Sequence, residues 1–235
     1  MCVILGIYSL TGTRRTVLEL LMLRYLYANE LGDHPMLRET MFRDRADQFS
    51  RRLNWDVTLD MAGEEHDAYD DLNPLYVIWQ QRDGTHGGSM RFLPTMGPTM
   101  VNDHFLFLTD GVTIESPLIW ECTRFCLARS ADRRVSAALV LAAGELMENF
   151  HLSHFLGVFD PSMERIYRIL GVNPNVVGRA GQGAEQLGIG LWQMNVSAWP
   201  KILKRVGITR KNSQQWYDNS FSAGDCEPSN IREYA

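Results

Sequence analysis

Basic residues are in short supply: 23 Lys and Arg stand against 28 Asp and Glu, a net charge of −5. A general nucleic-acid binder needs a strong basic excess, so no nucleic-acid partner is expected, although a local basic face stays open. Cysteine is sparse as well. Cys2, Cys122, Cys126 and Cys226 fit neither a zinc spacing nor a dense disulfide framework, and free thiols in a reducing compartment are expected. No run approaches the roughly 20 apolar residues that cross a bilayer. The apolar start Met1–Leu10 lacks a basic leader and a cleavage site, so the expectation is a cytoplasmic protein with no membrane partner. Repeats and low-complexity linkers are also missing. What is present is a chain of 235 residues, 45% hydrophobic, enough for one well-filled core.

The patterning predicts a single domain over 1–235, with its core at about 36–208 and a polar, loose tail over 209–235. Apolar stripes suggest helices over Thr13–Leu31, Leu37–Leu53 and, most clearly, Val135–Phe150, with Glu145 and Glu148 on the wet side of the last. Strands are expected at Leu75–Trp79, Gly88–Pro94, Leu118–Leu127, Phe155–Phe159 and Gly188–Val196, with a short helical turn at Asp103–Leu108. The strand at Leu118–Leu127 reads as central and buried on both faces. Asp160 as N-cap, Pro161 at the first helical position and Gly171 at the C-cap bound a helix, and Ala198–Val206 is the last one expected. Helices in front and alternating strands and helices behind predict an α/β fold around one mixed sheet.

Charged residues sit inside apolar segments. Arg91 lies in Ser89-Met90-Arg91-Phe92-Leu93, and Glu121 and Arg124 lie in Trp120-Glu121-Cys122-Thr123-Arg124-Phe125. Burying such groups costs several kcal/mol unless they are paired. An internal salt bridge and a polar site at a strand mouth both account for them. Glu121 and Arg124 differ by three, so a regular strand points them to opposite faces. If both serve one site, a bulge is needed between them, expected at Cys122-Thr123. The acidic run Glu64-Glu65-His66-Asp67-Ala68-Tyr69-Asp70-Asp71 reads as a solvated turn and is unspecific as a metal site. Arg45 and Phe49, four apart, share a helix face ahead of Trp55; they make either an aromatic staple under a surface arginine or a pocket for a flat or cationic ligand.

The phrases Arg52-Leu53-Asn54-Trp55, Asp67-Ala68-Tyr69-Asp70, Met90-Arg91-Phe92-Leu93-Pro94 and Glu121-Cys122-Thr123-Arg124-Phe125, in this order, resemble the acyl-homoserine lactone (autoinducer) synthase family. The resemblance runs from about Met41 to Gly171. It implies a three-layer α/β/α sandwich with a central mixed twisted sheet, acetyltransferase-like, split by a cleft for the pantetheine arm of an acyl donor. Arg45, Phe49 and Trp55 would form the front pocket for S-adenosylmethionine, with Asp67, Asp70, Arg91 and Arg124 as an ion network around it. Glu121 matches the glutamate proposed to take the amine proton, and Phe105 the aromatic near the cleft, with Thr123 and Gly157 beside it. S-adenosylmethionine would be a substrate, so neither a cofactor nor a metal is implied. The partner implied is an acidic acyl carrier protein, with acyl-CoA as an alternative donor.

Members that make 3-oxoacyl products tend to carry Thr where this chain has Gly157. The glycine is expected to add room and to favour an unsubstituted acyl chain. The rival reading is an acetyltransferase-like enzyme that uses acyl-CoA and another amine. Its Gly-rich pyrophosphate turn is replaced here by Ala128-Arg129-Ser130-Ala131-Asp132-Arg133-Arg134, which has no glycine. A signal-binding module on the same sheet would explain a pocket but not the simultaneous presence of Glu121, Arg91 and the front aromatics.

Overall fold

A computed structural model of the chain describes residues 22–193 and 196–221. Among the described residues, seven strands form one mixed sheet in the order β1-β2-β3-β4-β5-β7-β6. They are β1 Met22–Tyr27, β2 Leu75–Gln80, β3 His86–Pro94, β4 Ile119–Leu127, β5 His154–Phe159, β6 Asn175–Ala180 and β7 Leu187–Trp192. Every neighbouring pair is antiparallel except β4 and β5. The helices are α1 Pro35–Ala46, α2 Met100–His104, α3 Arg133–Asn149, α4 Pro161–Leu170, α5 Trp199–Val206 and α6 Arg210–Phe221. A parallel pair needs a crossover, and α3 supplies it.

Helices α3, α5 and α6 cover one face, setting Val135, Leu139, Leu146, Ile202 and Trp216 in the same core as Leu23, Tyr25, Val77 and Phe92. Helix α1 covers the other face with Leu37, Met41 and Phe42 in a cluster with Leu26, Tyr76 and Ile78. The result is the expected three-layer α/β/α arrangement. Local signals set the helix ends. Asp160 accepts from the N–H groups of Ser162 and Met163, and Gly171 takes the left-handed conformation (φ 79°) that a side chain disfavours. Among the described residues, no helix is long and apolar enough to cross a membrane.

Four expectations are corrected. The helix over Thr13–Leu31 is strand β1 from Met22 and a tight turn over Ala28–Asp33; its earlier part lies outside the described residues. Leu23 and Tyr25 of β1 enter one core and Leu26 the other, so both faces of the strand are apolar and its sequence shows no polar–apolar alternation. The tail expected over 209–235 to be loose contains α6, and the Ala198–Val206 helix is not the last. Glu145 is fully buried rather than wet, because Arg210 (2.5 Å) and Ser213 of α6 bond to it. Lastly, β4 is mostly half-buried, since cavities open beside both of its faces.

Trp216 is buried in the core against Trp79. Trp216→Ala is therefore expected to cost about 3–5 kcal/mol in denaturant unfolding, the usual range for a buried aromatic. A loose tail would give no change.

Candidate active site

Three arginines and three carboxylates close into a ring. Arg45 bonds Glu65 (2.6 Å) and Asp70 (2.9 Å); Arg91 bonds Asp70 (2.7 Å) and Asp67 (2.5 Å); Arg124 bonds Asp67 (2.7 Å) and Glu65 (2.9 Å). Each member has two partners of opposite sign, and the ring sums to zero charge. Arg45, Glu65 and Arg91 are fully buried. Such burial is tolerable only because every charge is met twice. Burial alone would raise the Asp67 and Asp70 carboxyls, but the surrounding arginines outweigh it and hold both below the usual range. Tyr76 adds a hydroxyl to Asp70, and aromatic faces of Phe42, Tyr69 and Phe49 lie against Arg45, Arg91 and Arg124.

The acidic run is thus not a solvated turn. Glu65 is buried and Asp67 and Asp70 half-buried, because the guanidinium groups of Arg45, Arg91 and Arg124 draw them in; Glu64 is buried against Arg38 and His66, and Asp71 stays exposed. Glu65 was not among the residues expected at the site. A balance of charge could have found it, since Arg45, Arg91 and Arg124 need a third carboxylate beside Asp67 and Asp70. Asp60, Glu64 and His66 bring ligand atoms within 4.8 Å of one another, but none lines the cleft and Glu64 already pairs with Arg38.

In front of the ring lies a cleft enclosing about 1260 Å³ of empty space, its open mouth included. Phe49, Leu53 and Trp55 form one wall; Glu121, Thr123, Arg124 and Phe125 of β4 form another; Val158, Phe159, Asp160, Met163 and Tyr167 complete it, with Phe105. Phe49, on the π-helical turn Asp47–Arg52 that continues α1, stacks at 5.1 Å with Trp55, three residues past its end. Of the expected residues, then, Phe49, Trp55, Phe105, Glu121, Thr123 and Arg124 line the cleft. Arg45, Asp67, Asp70 and Arg91 stand behind it in the ring, which reaches the cleft through Arg124. The Arg45 guanidinium lies over the Phe42 ring, and the guanidinium over Phe49 is that of Arg124.

Glu121 and Arg124 do face one cleft, although three residues separate them. Between the Ser89–Cys126 and Arg91–Thr123 pairs, Met90 stands opposite both Arg124 and Phe125. Arg124 takes a left-handed backbone (φ 52°), which turns its side chain onto the Glu121 face. The bulge is therefore at Arg124-Phe125 and not at Cys122-Thr123, where the ladder is regular. Glu121 is buried and accepts from the N–H groups of Met100 (3.0 Å) and Val101 (2.6 Å) at the start of α2. Burial raises its pKa; the two N–H groups and Arg91 oppose this, leaving it at about 7.

The β4–β5 ladder spans only Ile119–Glu121 and His154–Leu156, while both strands run on beyond it. The gap leads to a second, apolar cavity enclosing about 810 Å³ of empty space, its open mouth included, lined by Met90, Cys122, Phe125, Leu141, Met147, Phe155, Tyr167, Trp192, Trp199 and Ile202 among others. Phe125 and Tyr167 border both spaces. Cys122 and Cys126 are free thiols, half-buried and buried, and burial pushes both pKa values up. Gly157 lines neither space, and the added room expected there is taken. A Cβ would stand 3.0 Å from the Cys122 carbonyl and 3.4 Å from the Trp192 ring.

A mixed sheet opened between two parallel strands, with a buried carboxylate and an apolar cavity at the opening, is an acetyltransferase-like fold. The autoinducer synthase family model matches residues 29–211, and the chain belongs to that family. The acyl-homoserine-lactone synthase of Rhizobium etli is 36% identical over 181 residues, covering 74% of this chain and 84% of the relative. That of Agrobacterium fabrum is 36% identical over 130 residues, 54% of this chain and 57% of the relative. The fold matches the crystal structure of the synthase LasI with a TM-score of 0.68 at 24% identity, covering 78% of this chain and 95% of that one. It also matches the CoA-dependent synthase BjaI, solved with SAM and isopentyl-CoA, with a TM-score of 0.71 at 19% identity over 84% and 99% of the two chains. The enzyme is an acyl-homoserine-lactone synthase by class, and so an acyltransferase.

Proposed function

We propose that the enzyme moves an acyl group from an acyl carrier protein onto the amine of S-adenosylmethionine and then closes the lactone, releasing methylthioadenosine. The observation that carries this reading is the convergence of Glu121, Arg124 and the Phe49–Trp55 stack on one cleft that adjoins an apolar cavity. The stacked rings receive the adenine and sulfonium, and Arg124, held by the ring, faces the methionine carboxylate. The donor's pantetheine arm enters the gap between β4 and β5, and its acyl chain fills the apolar cavity.

The methionine amine attacks only after losing a proton. Glu121, with its pKa near neutrality, accepts that proton directly or through water. The new C–N bond forms as the C–S bond of the thioester breaks; the attacking nitrogen loses a second proton to the departing thiolate, and the first leaves from Glu121 to solvent. In the second step a carboxylate oxygen displaces the sulfonium from its carbon, and the electron pair leaves on the sulfur of methylthioadenosine. The substrate brings its own leaving group, so this step asks mainly for positioning.

The choice of carrier protein rests on the turn after β4. Asp132 caps α3 and accepts from the Arg134 N–H at 2.8 Å, so a carboxylate stands where the pyrophosphate of CoA would seek a helix N-terminus. Acyl-CoA is the second reading, favoured by the likeness in fold to the CoA-dependent synthases MesI and BjaI. Purified enzyme supplied with S-adenosylmethionine and one acyl chain on either donor separates them by mass spectrometry. Lactone is expected at higher kcat/KM from the carrier protein; no lactone from either donor overturns the function.

Docking an acidic carrier on a chain of net charge −5 needs a local basic face. From Arg165 to Lys211 the cations are Arg165, Arg168, Arg179, Lys201, Lys204, Arg205, Arg210 and Lys211, against Glu185 alone. Arg179 pairs with Glu164 and Arg210 with Glu145, which removes two from that face. Arg165 and Arg168 remain exposed on α4, directly after β5. Reversing both to Glu is expected to raise the carrier KM and flatten its salt dependence, with the S-adenosylmethionine KM unmoved. An unchanged carrier KM at low salt would place docking elsewhere.

A further inference from the structure

Beyond the bulge, β4 presents main-chain groups on alternate sides. The Ala128 N–H bonds the Gly87 carbonyl at 3.1 Å, so residue 128 faces β3. By alternation, Leu127 and Phe125 turn their N–H and C=O groups away from β3, towards the gap where the β5 ladder has ended. An open strand edge of this kind is a template for an extended amide chain. Gln48 already sits on it. Its Nε2 donates to the Phe125 carbonyl at 2.7 Å and its Oε1 accepts from the Leu127 N–H at 3.0 Å, a two-point contact that copies a neighbouring strand. Gln48 belongs to the π-helical turn that carries Phe49, and its own carbonyl accepts from the Leu53 N–H.

We propose that Gln48 competes with the amide-bearing arm of the acyl donor for the Phe125–Leu127 edge of β4, so that the donor must displace this side chain to pair with the strand. The inference rests on the reading that the arm lies in the β4–β5 gap. It defines the donor class by chemistry: the arm must offer both a carbonyl and an N–H in extended array, as pantetheine does on CoA or on a carrier protein. A thioester without amides cannot replace what Gln48 gives up. Because Gln48 neighbours Phe49, its displacement also loosens the wall of the front pocket, which couples entry of the two substrates.

The test uses an alkyl pantetheine thioether, the arm common to both donors and unable to react. Calorimetry on the wild type and Gln48→Ala reads affinity, and hydrogen exchange reads the Leu127 amide. Gln48→Ala is expected to bind the thioether about three- to tenfold more tightly, since no hydrogen bonds need be given up first. The thioether should restore the exchange protection that the Leu127 amide loses in the variant. Unchanged or weaker binding, with Leu127 still protected by the thioether, overturns the competition while leaving the arm in the gap. No protection of Leu127 by the thioether in either protein overturns the placement of the arm itself. Should Gln48→Ala fail to fold, Gln48→Met keeps the length, removes both hydrogen-bonding groups and carries the same expectations.

Discussion

Replacing Glu121 by Gln is expected to lower kcat by roughly 10²- to 10⁴-fold, the span of a lost general base, while the protein stays folded. The pH profile gives the sharper reading. Burial lifts the Glu121 pKa to about 7, and only the carboxylate form accepts a proton, so wild-type kcat/KM should rise with pH through that value. The Gln variant should lack this limb. Near wild-type turnover at saturating substrates would remove Glu121 from proton transfer. The bonds from Met100 and Val101 would then be its whole purpose.

The second large effect concerns the ring. Arg91→Ala leaves Asp67 and Asp70 short of a buried partner, a loss of about 3–5 kcal/mol on the scale of broken buried pairs. Arg91 is therefore expected to count for stability as well as for lactone formation, and denaturant unfolding measures the first directly. The acid limb follows with its sign. Asp67 and Asp70 have pKa values below those of the unfolded chain, so their contribution is complete above the ordinary carboxylate range. It is lost as pH falls through their depressed folded values. Removing Arg91 raises those values, so the variant should unfold in acid at a higher pH than the wild type. An acid midpoint identical in the two proteins would contradict the ring as a cooperative unit.

The central strands were legible because their sequences carry a contradiction. Arg91, Glu121 and Arg124 are charges in apolar settings, and only a paired interior or a site accounts for such burial. What the sequence could not supply was their division of labour. Arg91 and Arg124 look alike in sequence, yet one is sealed in the ring and the other shares ring and cleft. The bulge was required by the offset of three between Glu121 and Arg124, but that offset places it nowhere in particular. The positive φ of Arg124 decides it. Helix α6 escaped because only Ser213 and Trp216 of its twelve residues are buried, too few to mark an apolar face. Strand β6 escaped because it is an exposed edge with a register shift between Val176 and Gly178. Gly157 misled because a missing side chain suggests space, whereas the Cys122 carbonyl stands close against that position, with the Trp192 ring in contact beside it.

The measurement that tests the account most directly is product stoichiometry in a single turnover of purified enzyme with S-adenosylmethionine and an acyl thioester. Free thiol, acyl-homoserine lactone and methylthioadenosine are expected in equal amounts, because one cleft performs acyl transfer and ring closure on the same molecule. Thiol released without matching methylthioadenosine and lactone would contradict it.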